Sequence, residues 1–494
     1  MNHAESLLER LRSTLSERGE FSRGVLTLLS GTLLSRLLAV LAIPVLARLY
    51  TPGEFGELAV FTTLAGLVAA VAAGRYDMAV MLPEADEDAL HLLLAAMLLA
   101  SVVTACSVVV VWRYGPDIAT ALGAEQLAPW LWLNPPVIWA LAAFGALRSW
   151  AARAGQFGLI SASVVANTLL TVAVQLLAAL AQLLSGGGLL AGRVAGQFSQ
   201  SLVLFGGALR GLRKASRAGI SSARLGAVMH RYRNFPLFDA GANLLNQASR
   251  ELPVLLLGAF FGATVLGYYA VGRRILSIPA ELIGNAVAQA YFPAATRELA
   301  RGRLGPLSAD VYTRLVCIAV TPMLMLAVIV PQAIAVFLGA DWMDAVPYVR
   351  WLTGWVLVIF ITAPFAQLFN VLEQQRHRLV YITLVMSAQA AALWWTGEAG
   401  DPVLAIAVFS VISAIGTLGN YVWLLHKAGV GLDVTLGVLL RQCLLALPFA
   451  GALWLATRLI VSDVGVLAVA ALLGLIFAVL QFPKVIGRSP HGSR

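Results

Sequence analysis

Charge, cysteine and lysine are scarce in this chain of 494 residues. Only 12% of it is charged, with 25 Asp and Glu against 34 Lys and Arg. Cys106, Cys317 and Cys443 lie inside apolar runs without a C-x-x-C spacing, which excludes a disulfide framework and a zinc site of the usual pattern. Lysine occurs only at 214, 427 and 484, after Arg, His and Pro, so no G-x-x-x-x-G-K-[ST] loop exists and ATP hydrolysis of that kind is excluded. The six histidines form no H-E-x-x-H. Outer loops are short, the longest lying around YGPDIATALGAEQ, and Asp117, Glu125, Asp341, Asp344, Glu398 and Asp401 sit on them singly. That is poor ground for a membrane polymerase or ligase, which needs acid, base or nucleophile groups gathered at the outer surface.

What the chain has in abundance is apolar length. Hydrophobic residues make up 60% of it, at a mean hydropathy of +0.83, the composition of an integral membrane protein. Runs long enough to span a bilayer predict an all-α polytopic fold of about fourteen helices: 24–46, 56–74, 90–112, 129–147, 158–183, 188–208, 237–259, 264–294, 313–338, 347–370, 379–396, 402–425, 434–457 and 464–482. Lys and Arg concentrate in alternate loops, the others holding only Arg48, Arg113 and Arg458, which places both termini in the cytoplasm. This spread over inside loops also accounts for the net charge of +9 without nucleic acid.

Six segments follow. Residues 1–23 carry Leu7, Leu8, Leu11 and Leu15 at helical spacing beside Arg10, Arg12 and Arg18, an amphipathic cytoplasmic segment unlike a cleaved signal peptide. An N-lobe spans 24–208, a basic cytoplasmic linker 209–236, a C-lobe 237–425, a C-terminal helix pair 434–482 and a cytoplasmic tail 483–494.

Several arginines fall inside the apolar runs, Arg36 in the middle of LLSRLLAVLAIP. A guanidinium at the centre of a lipid-facing helix costs on the order of 3 kcal/mol, so each such residue calls for water or a partner. LLSRLLAVL (33–41) aligns with QASRELPVL (247–255), pairing Arg36 with Arg250, and PGEFGELAVF (52–61) aligns with ATVLGYYAVG (263–272), pairing Gly56 with Gly267. Six helices separate the copies, so the halves form a parallel repeat with substrate expected between them, and Arg36 and Arg250 would face each other across a central cavity.

Polar stripes extend this set. Asp239, Asn243, Asn246, Gln247 and Arg250 recur at steps of three or four, or side by side, on helix seven. Arg274, Ser277, Glu281, Asn285 and Gln289 do the same on helix eight, with Arg273 adjacent. Asn167, Thr171 and Gln175 on helix five, and Arg193, Gln197 and Gln200 on helix six, are open to two readings, cavity lining or polar glue between helices. Arg350 and Arg441, near helix ends, are expected to snorkel. The intramembrane excess is cationic, against chiefly Glu251 and Glu281, so the expected cargo is an anion, with phosphate oxygens suited to arginine forks. Pro44, Pro253, Pro279, Pro331 and Pro364 predict kinks.

Three stretches, RLYTPGEFGELAVF, RYDMAVMLPEADEDA and PVLLLGAFFGATVLGYYAVGRRILSIPAELIGNAVAQAYFPAAT, make the chain resemble bacterial polysaccharide or O-antigen flippases of the Wzx type, in the multidrug/oligosaccharidyl-lipid/polysaccharide exporter superfamily. The resemblance implies two lobes of six helices plus a C-terminal pair, alternately open to cytoplasm and periplasm of a bacterial inner membrane. It implies a monomer that is a transporter and not an enzyme. The cargo it implies is an undecaprenyl-pyrophosphate-linked oligosaccharide, with a lipid II flippase or a multidrug antiporter as alternatives. No cofactor or metal is expected. Asp239 and Glu281 are candidate proton or sodium carriers, and Arg75 with Asp77 a candidate gating pair. Polysaccharide polymerase and chain-length proteins are candidate partners beside membrane lipids.

Overall fold

The computed structural model describes residues 27–28, 30–182, 186–216 and 219–486; the expected N-terminal segment 1–23 and the tail beyond 486 lie outside the described residues. Among these residues every regular element is a helix. In chain order they are α1 (Ser30–Leu49), α2 (Pro52–Ala72), α3 (Tyr76–Ala79), α4 (Asp86–Ala121), α5 (Asn134–Arg153), α6 (Phe157–Leu180), α7 (Gly188–Ser216), α8 (Ser222–Arg231) and α9 (Ala240–Pro279). After them come α10 (Asn285–Ala300), α11 (Leu304–Phe337), α12 (Val346–Thr362), α13 (Leu368–Val371), α14 (Gln375–Glu398), α15 (Pro402–Lys427), α16 (Leu432–Leu459) and α17 (Asp463–Ile486). The protein is thus a polytopic all-α membrane protein.

Local chemistry sets the helix starts. In T-P-G-E, the Thr51 N–H donates to Glu54 Oε2 at 2.8 Å while Thr51 Oγ1 accepts from the Glu54 N–H at 3.4 Å, a reciprocal box with proline at the first helical position. Asp401 caps α15, accepting from the N–H groups of Val403 and Leu404, again with proline next.

By length and hydropathy 12 described helices can cross a membrane, and two of the fourteen expected runs are not counted separately among them. The run at 237–259 and the start of that at 264–294 lie in α9, where Gly262 (φ 79°, ψ 178°) departs from helical geometry between them, and the second run continues through the turn Ala280–Gly284 into α10. Helix α7 is long enough, but Arg193, Gln197, Gln200, Arg210 and Arg213 make it too polar for the count. Two expected loops are helical instead. YGPDIATA, the first eight residues of the outer loop YGPDIATALGAEQ, continues α4, whose 36 residues reach about 54 Å at 1.5 Å per residue, beyond a bilayer of roughly 40–45 Å. The basic linker is largely the end of α7 plus α8. Pro279 is followed by a π-helical turn, Ala280–Gly284, and Pro364 sits in the 3-10 stretch that ends α12.

The chain forms two compact units, Met1–Tyr50 with Glu57–Leu255, and Thr51–Gly56 with Leu256–Arg494. Their boundary falls inside α9, not in the linker. In the first unit Leu147, Ala151, Ile160 and Leu204 form a core joined by Leu28, Met97, Phe144 and Phe157. In the second, Tyr291, Tyr312, Phe365, Phe369 and Leu424 centre the core, and Met325, Leu453, Val466 and Ala470 fasten α16 and α17 to α11.

Candidate functional site

In the first unit the stripe on α9 divides into two faces. Asn243 Nδ2 donates to the Ala70 carbonyl at 2.9 Å, Gln247 Nε2 donates to Glu251 Oε1 at 3.1 Å, and Thr63 Oγ1 donates to Glu251 Oε2 at 2.8 Å. Positions 243, 247 and 251, four apart, therefore brace α9 against α2. Asn246 and Arg250 keep to the other side and are exposed. Arg250 makes no hydrogen bond or ion pair with any described residue. Arg36 on α1 and Arg193 on α7 are half-buried. Arg36 and Arg250 both belong to this first unit.

Asn167 lies in a seam between helices. Its Nδ2 donates to Gln200 Oε1 at 2.6 Å, Thr171 Oγ1 donates to Asn167 Oδ1 at 3.4 Å, and Gln175 Nε2 donates to the Leu189 carbonyl at 3.0 Å. Gly192 and Gly196 let α7 press on this row, since a Cβ there would lie 2.3 Å from Gln175 Cγ or 1.9 Å from Thr171 Oγ1. Of the two readings, this row is glue in the α6–α7 seam.

In the second unit the adjacent arginines diverge. Arg273 lies over the rings of Tyr269 (5.9 Å) and Trp355 (5.8 Å) and donates to the Tyr269 hydroxyl at 3.3 Å, an aromatic clamp that occupies its guanidinium. Arg274 keeps exposed surface although it is closely surrounded by protein, and it feels the charge of Glu281, itself exposed, two turns on. Asn285 opens α10, but its side chain lies outside what is described.

The RYDMAVMLPEADEDA motif docks the linker. Arg75, in left-handed backbone (φ 59°), donates through Nε to Asp239 Oδ2 at 2.7 Å, so its partner is Asp239 and not the expected Asp77. Tyr76 OH donates to the Met229 carbonyl at 3.0 Å, and Arg224 of α8 binds Asp88 (2.7 Å) and Glu87. His91, wholly buried, donates from Nδ1 to the Glu87 carbonyl and accepts at Nε2 from the Ser221 N–H at 3.2 Å, tying α4 to the start of α8. Burial pushes the Asp77 carboxyl above the usual carboxylate range, against the pull of Arg75 and Arg148. A double-mutant cycle on Arg75→Ala and Asp239→Ala, read by thermal unfolding, should return a coupling of roughly 0.2–1 kcal/mol, because Asp239 is half exposed. Strict additivity would show that the pair does not hold the linker.

The aligned glycines meet in one crossing within the second unit. A Cβ on Gly56 would lie 1.8 Å from the Ala263 carbonyl oxygen, one on Gly267 1.8 Å from that of Pro52, and one on Gly53 3.6 Å from Thr264 Oγ1. The alignment pairs Gly56 with Gly267, Pro52 with Ala263 and Gly53 with Thr264, so exchanging the two segments maps these contacts onto themselves. Phe55 and Tyr268 flank the crossing against Trp342, at 5.3 and 6.1 Å. Glu57, only 4% exposed on α2, is a buried intramembrane carboxylate that the sequence reading passed over. Its signal was an acid one turn beyond Glu54, inside the apolar run.

A polytopic all-α membrane protein with exposed arginines on its spans defines the class. The chain belongs to the polysaccharide biosynthesis protein family, whose model matches residues 45–347. It is 23% identical over 394 residues to the succinoglycan biosynthesis transport protein ExoT of Rhizobium meliloti (strain 1021), covering 79% of this chain and 77% of that protein. Its fold is similar to that of the lipid II flippase MurJ in an inward closed conformation, at a TM-score of 0.73 and 13% identity, covering 93% of this chain and 99% of that one. It is also similar to an inward-facing multidrug resistance MATE family transporter of the MOP superfamily, at a TM-score of 0.62 and 11% identity, covering 80% and 94%.

Proposed function

We propose that the protein is a flippase that turns an undecaprenyl-pyrophosphate-linked oligosaccharide from the cytoplasmic to the periplasmic leaflet of a bacterial inner membrane, with both termini in the cytoplasm. The observation that carries this reading is the exposure of Arg250 and Arg274 on membrane-spanning helices. Guanidinium groups turned to lipid would cost on the order of 3 kcal/mol each, whereas groups turned to a wet passage attract phosphate. A glycan headgroup with its pyrophosphate cannot cross hydrocarbon unaided, and a cationic passage with room for the prenyl tail outside removes that barrier. Family membership and the succinoglycan transport relative support a polysaccharide-linked cargo.

Proton or sodium coupling is part of the proposal. Asp239 is paired with Arg75 and Glu281 lies within the electrostatic reach of Arg274, and both stand as candidate carriers. The multidrug reading shares the fold, but organic cations call for carboxylates where these helices expose arginine.

Deleting the gene decides among the readings. Undecaprenyl-linked repeat units should accumulate on the inner leaflet and surface polysaccharide should vanish. Accumulated lipid II would favour the peptidoglycan reading, and drug sensitivity with normal polysaccharide the antiporter. Lengthening or transfer of glycan by purified protein in liposomes would make it an enzyme.

A further inference from the structure

The first unit contains a cavity of about 540 Å³ where the ends of α5 and α7 meet the start of α4, lined by Asp86, Glu87, Trp150, Arg153, Gln156 and Lys214 among others. We propose that it seats the headgroup of an ethanolamine phospholipid of the inner leaflet. The proposal takes its sidedness from the orientation above, but it needs only that α4, α5 and α7 span the membrane.

Depth comes first. From Gly188 to Lys214, α7 rises about 39 Å at 1.5 Å per residue, and a hydrocarbon core is roughly 30 Å thick. The cavity therefore lies at headgroup level. Leu98, 54% exposed, stands three turns along α4 on the face of Glu87 and offers an apolar track for an acyl chain.

The unspent hydrogen-bonding capacity decides the ligand. Arg153 is used up, donating to Asp86 Oδ1 at 3.0 Å, to the Glu84 carbonyl at 2.8 Å and to the Pro83 carbonyl. Asp86 keeps its second oxygen, Glu87 keeps the oxygen that Arg224 does not take, and Gln156 Oε1 is buried with no partner. Opposite in kind are two donors. Lys214 is exposed and pairs with no described residue, and Trp150 Nε1 donates to none, lying 3.5 Å from where Gly211 would carry a Cβ.

A bound molecule must then present an anion to Lys214 and Trp150, and a cation bearing N–H groups to the acceptors. Phosphoethanolamine does both. Choline carries the charge without an N–H, and would leave Gln156 unsatisfied. Glycerol and other purely anionic headgroups offer no cation and would meet Asp86 and Glu87 as like charge.

The test is native mass spectrometry of purified protein exchanged into vesicle-derived nanodiscs containing equal phosphatidylethanolamine, phosphatidylcholine and phosphatidylglycerol. Wild type should retain the ethanolamine lipid at least about tenfold over either rival, the equivalent of 1.4 kcal/mol. Gln156→Leu should lose the preference over phosphatidylcholine, Lys214→Ala should weaken retention of all three lipids through their common phosphate, and Gly211→Leu, which fills the floor beside Trp150, should lose the bound lipid while unfolding at the wild-type temperature. Equal retention of the three lipids, preference for phosphatidylglycerol, or an unchanged Lys214→Ala would overturn the proposal. Soluble phosphoethanolamine should displace the lipid only weakly, and equal displacement would reassign the cavity to a soluble ligand. None of these readouts involves export, so failure of the flippase reading leaves them intact and failure here leaves that reading intact.

Discussion

Gly56→Ala and Gly267→Ala are each expected to lower the unfolding temperature of the purified protein sharply and to abolish surface polysaccharide. The added methyl would lie 1.8 Å from a backbone carbonyl oxygen, closer than any Cβ contact tolerates, and a carbonyl cannot rotate away as a side-chain end can. The two helix segments must separate by more than an ångström. Overpacking of this kind costs about 1–3 kcal/mol and sometimes more, and here it also opens the Phe55 and Tyr268 packing on Trp342. Gly241→Ala and Gly437→Ala are the controls: a Cβ at either meets nothing within 4 Å, and helix propensity predicts a gain of up to about 1 kcal/mol. Because the two tight contacts belong to one crossing, the double variant should cost less than the sum of the singles. Separation forced by the first methyl makes room for the second. Full additivity, or Gly56→Ala as stable as Gly241→Ala, would refute the shared crossing.

The sequence already paired these glycines, but not for the right reason. Alignment records that Gly56 and Gly267 correspond; only three dimensions show that each presses on the other's segment. Periodicity likewise found the polar stripe on α9. A helical repeat cannot say which neighbour each face meets, so Asn243 and Gln247, spent on α2, looked equivalent to Asn246 and Arg250, which are not. Arg273 and Arg274 had to diverge, being about 100° apart on a helix. Which of them was lost to an aromatic clamp depended on Trp355, distant in sequence. The linker dock was hidden for the same reason, since Arg75 and Asp239, like Arg224 and Glu87, are joined across long stretches of chain. Local signals fared better: the apolar runs located the spans, and Gln200, one of the side chains that make α7 polar, takes part in its seam with α6.

Arg250→Ala is expected to reduce export by at least about 100-fold while the protein inserts and accumulates normally, with loss of surface polysaccharide as the readout and membrane content as its control. Removing a guanidinium from a span makes insertion easier by on the order of 3 kcal/mol, so poor insertion cannot explain a loss. Nor can lost packing, because Arg250 is exposed and bonds to no described residue. What disappears is a forked cation on an exposed helix face. Arg250→Lys separates charge from geometry: the ammonium still attracts phosphate but cannot grip two oxygens at once, so export should fall by roughly tenfold, about 1.4 kcal/mol, and not vanish. Glu251→Gln completes the comparison. Its carboxylate serves here as acceptor for Thr63 and Gln247, and a glutamine retains one acceptor oxygen for that brace, so export should persist. Arg36→Ala should behave as Arg250→Ala does. Normal export by Arg250→Ala would mean that the exposed arginine faces no anion on its way across, and the cationic passage would lose its main support.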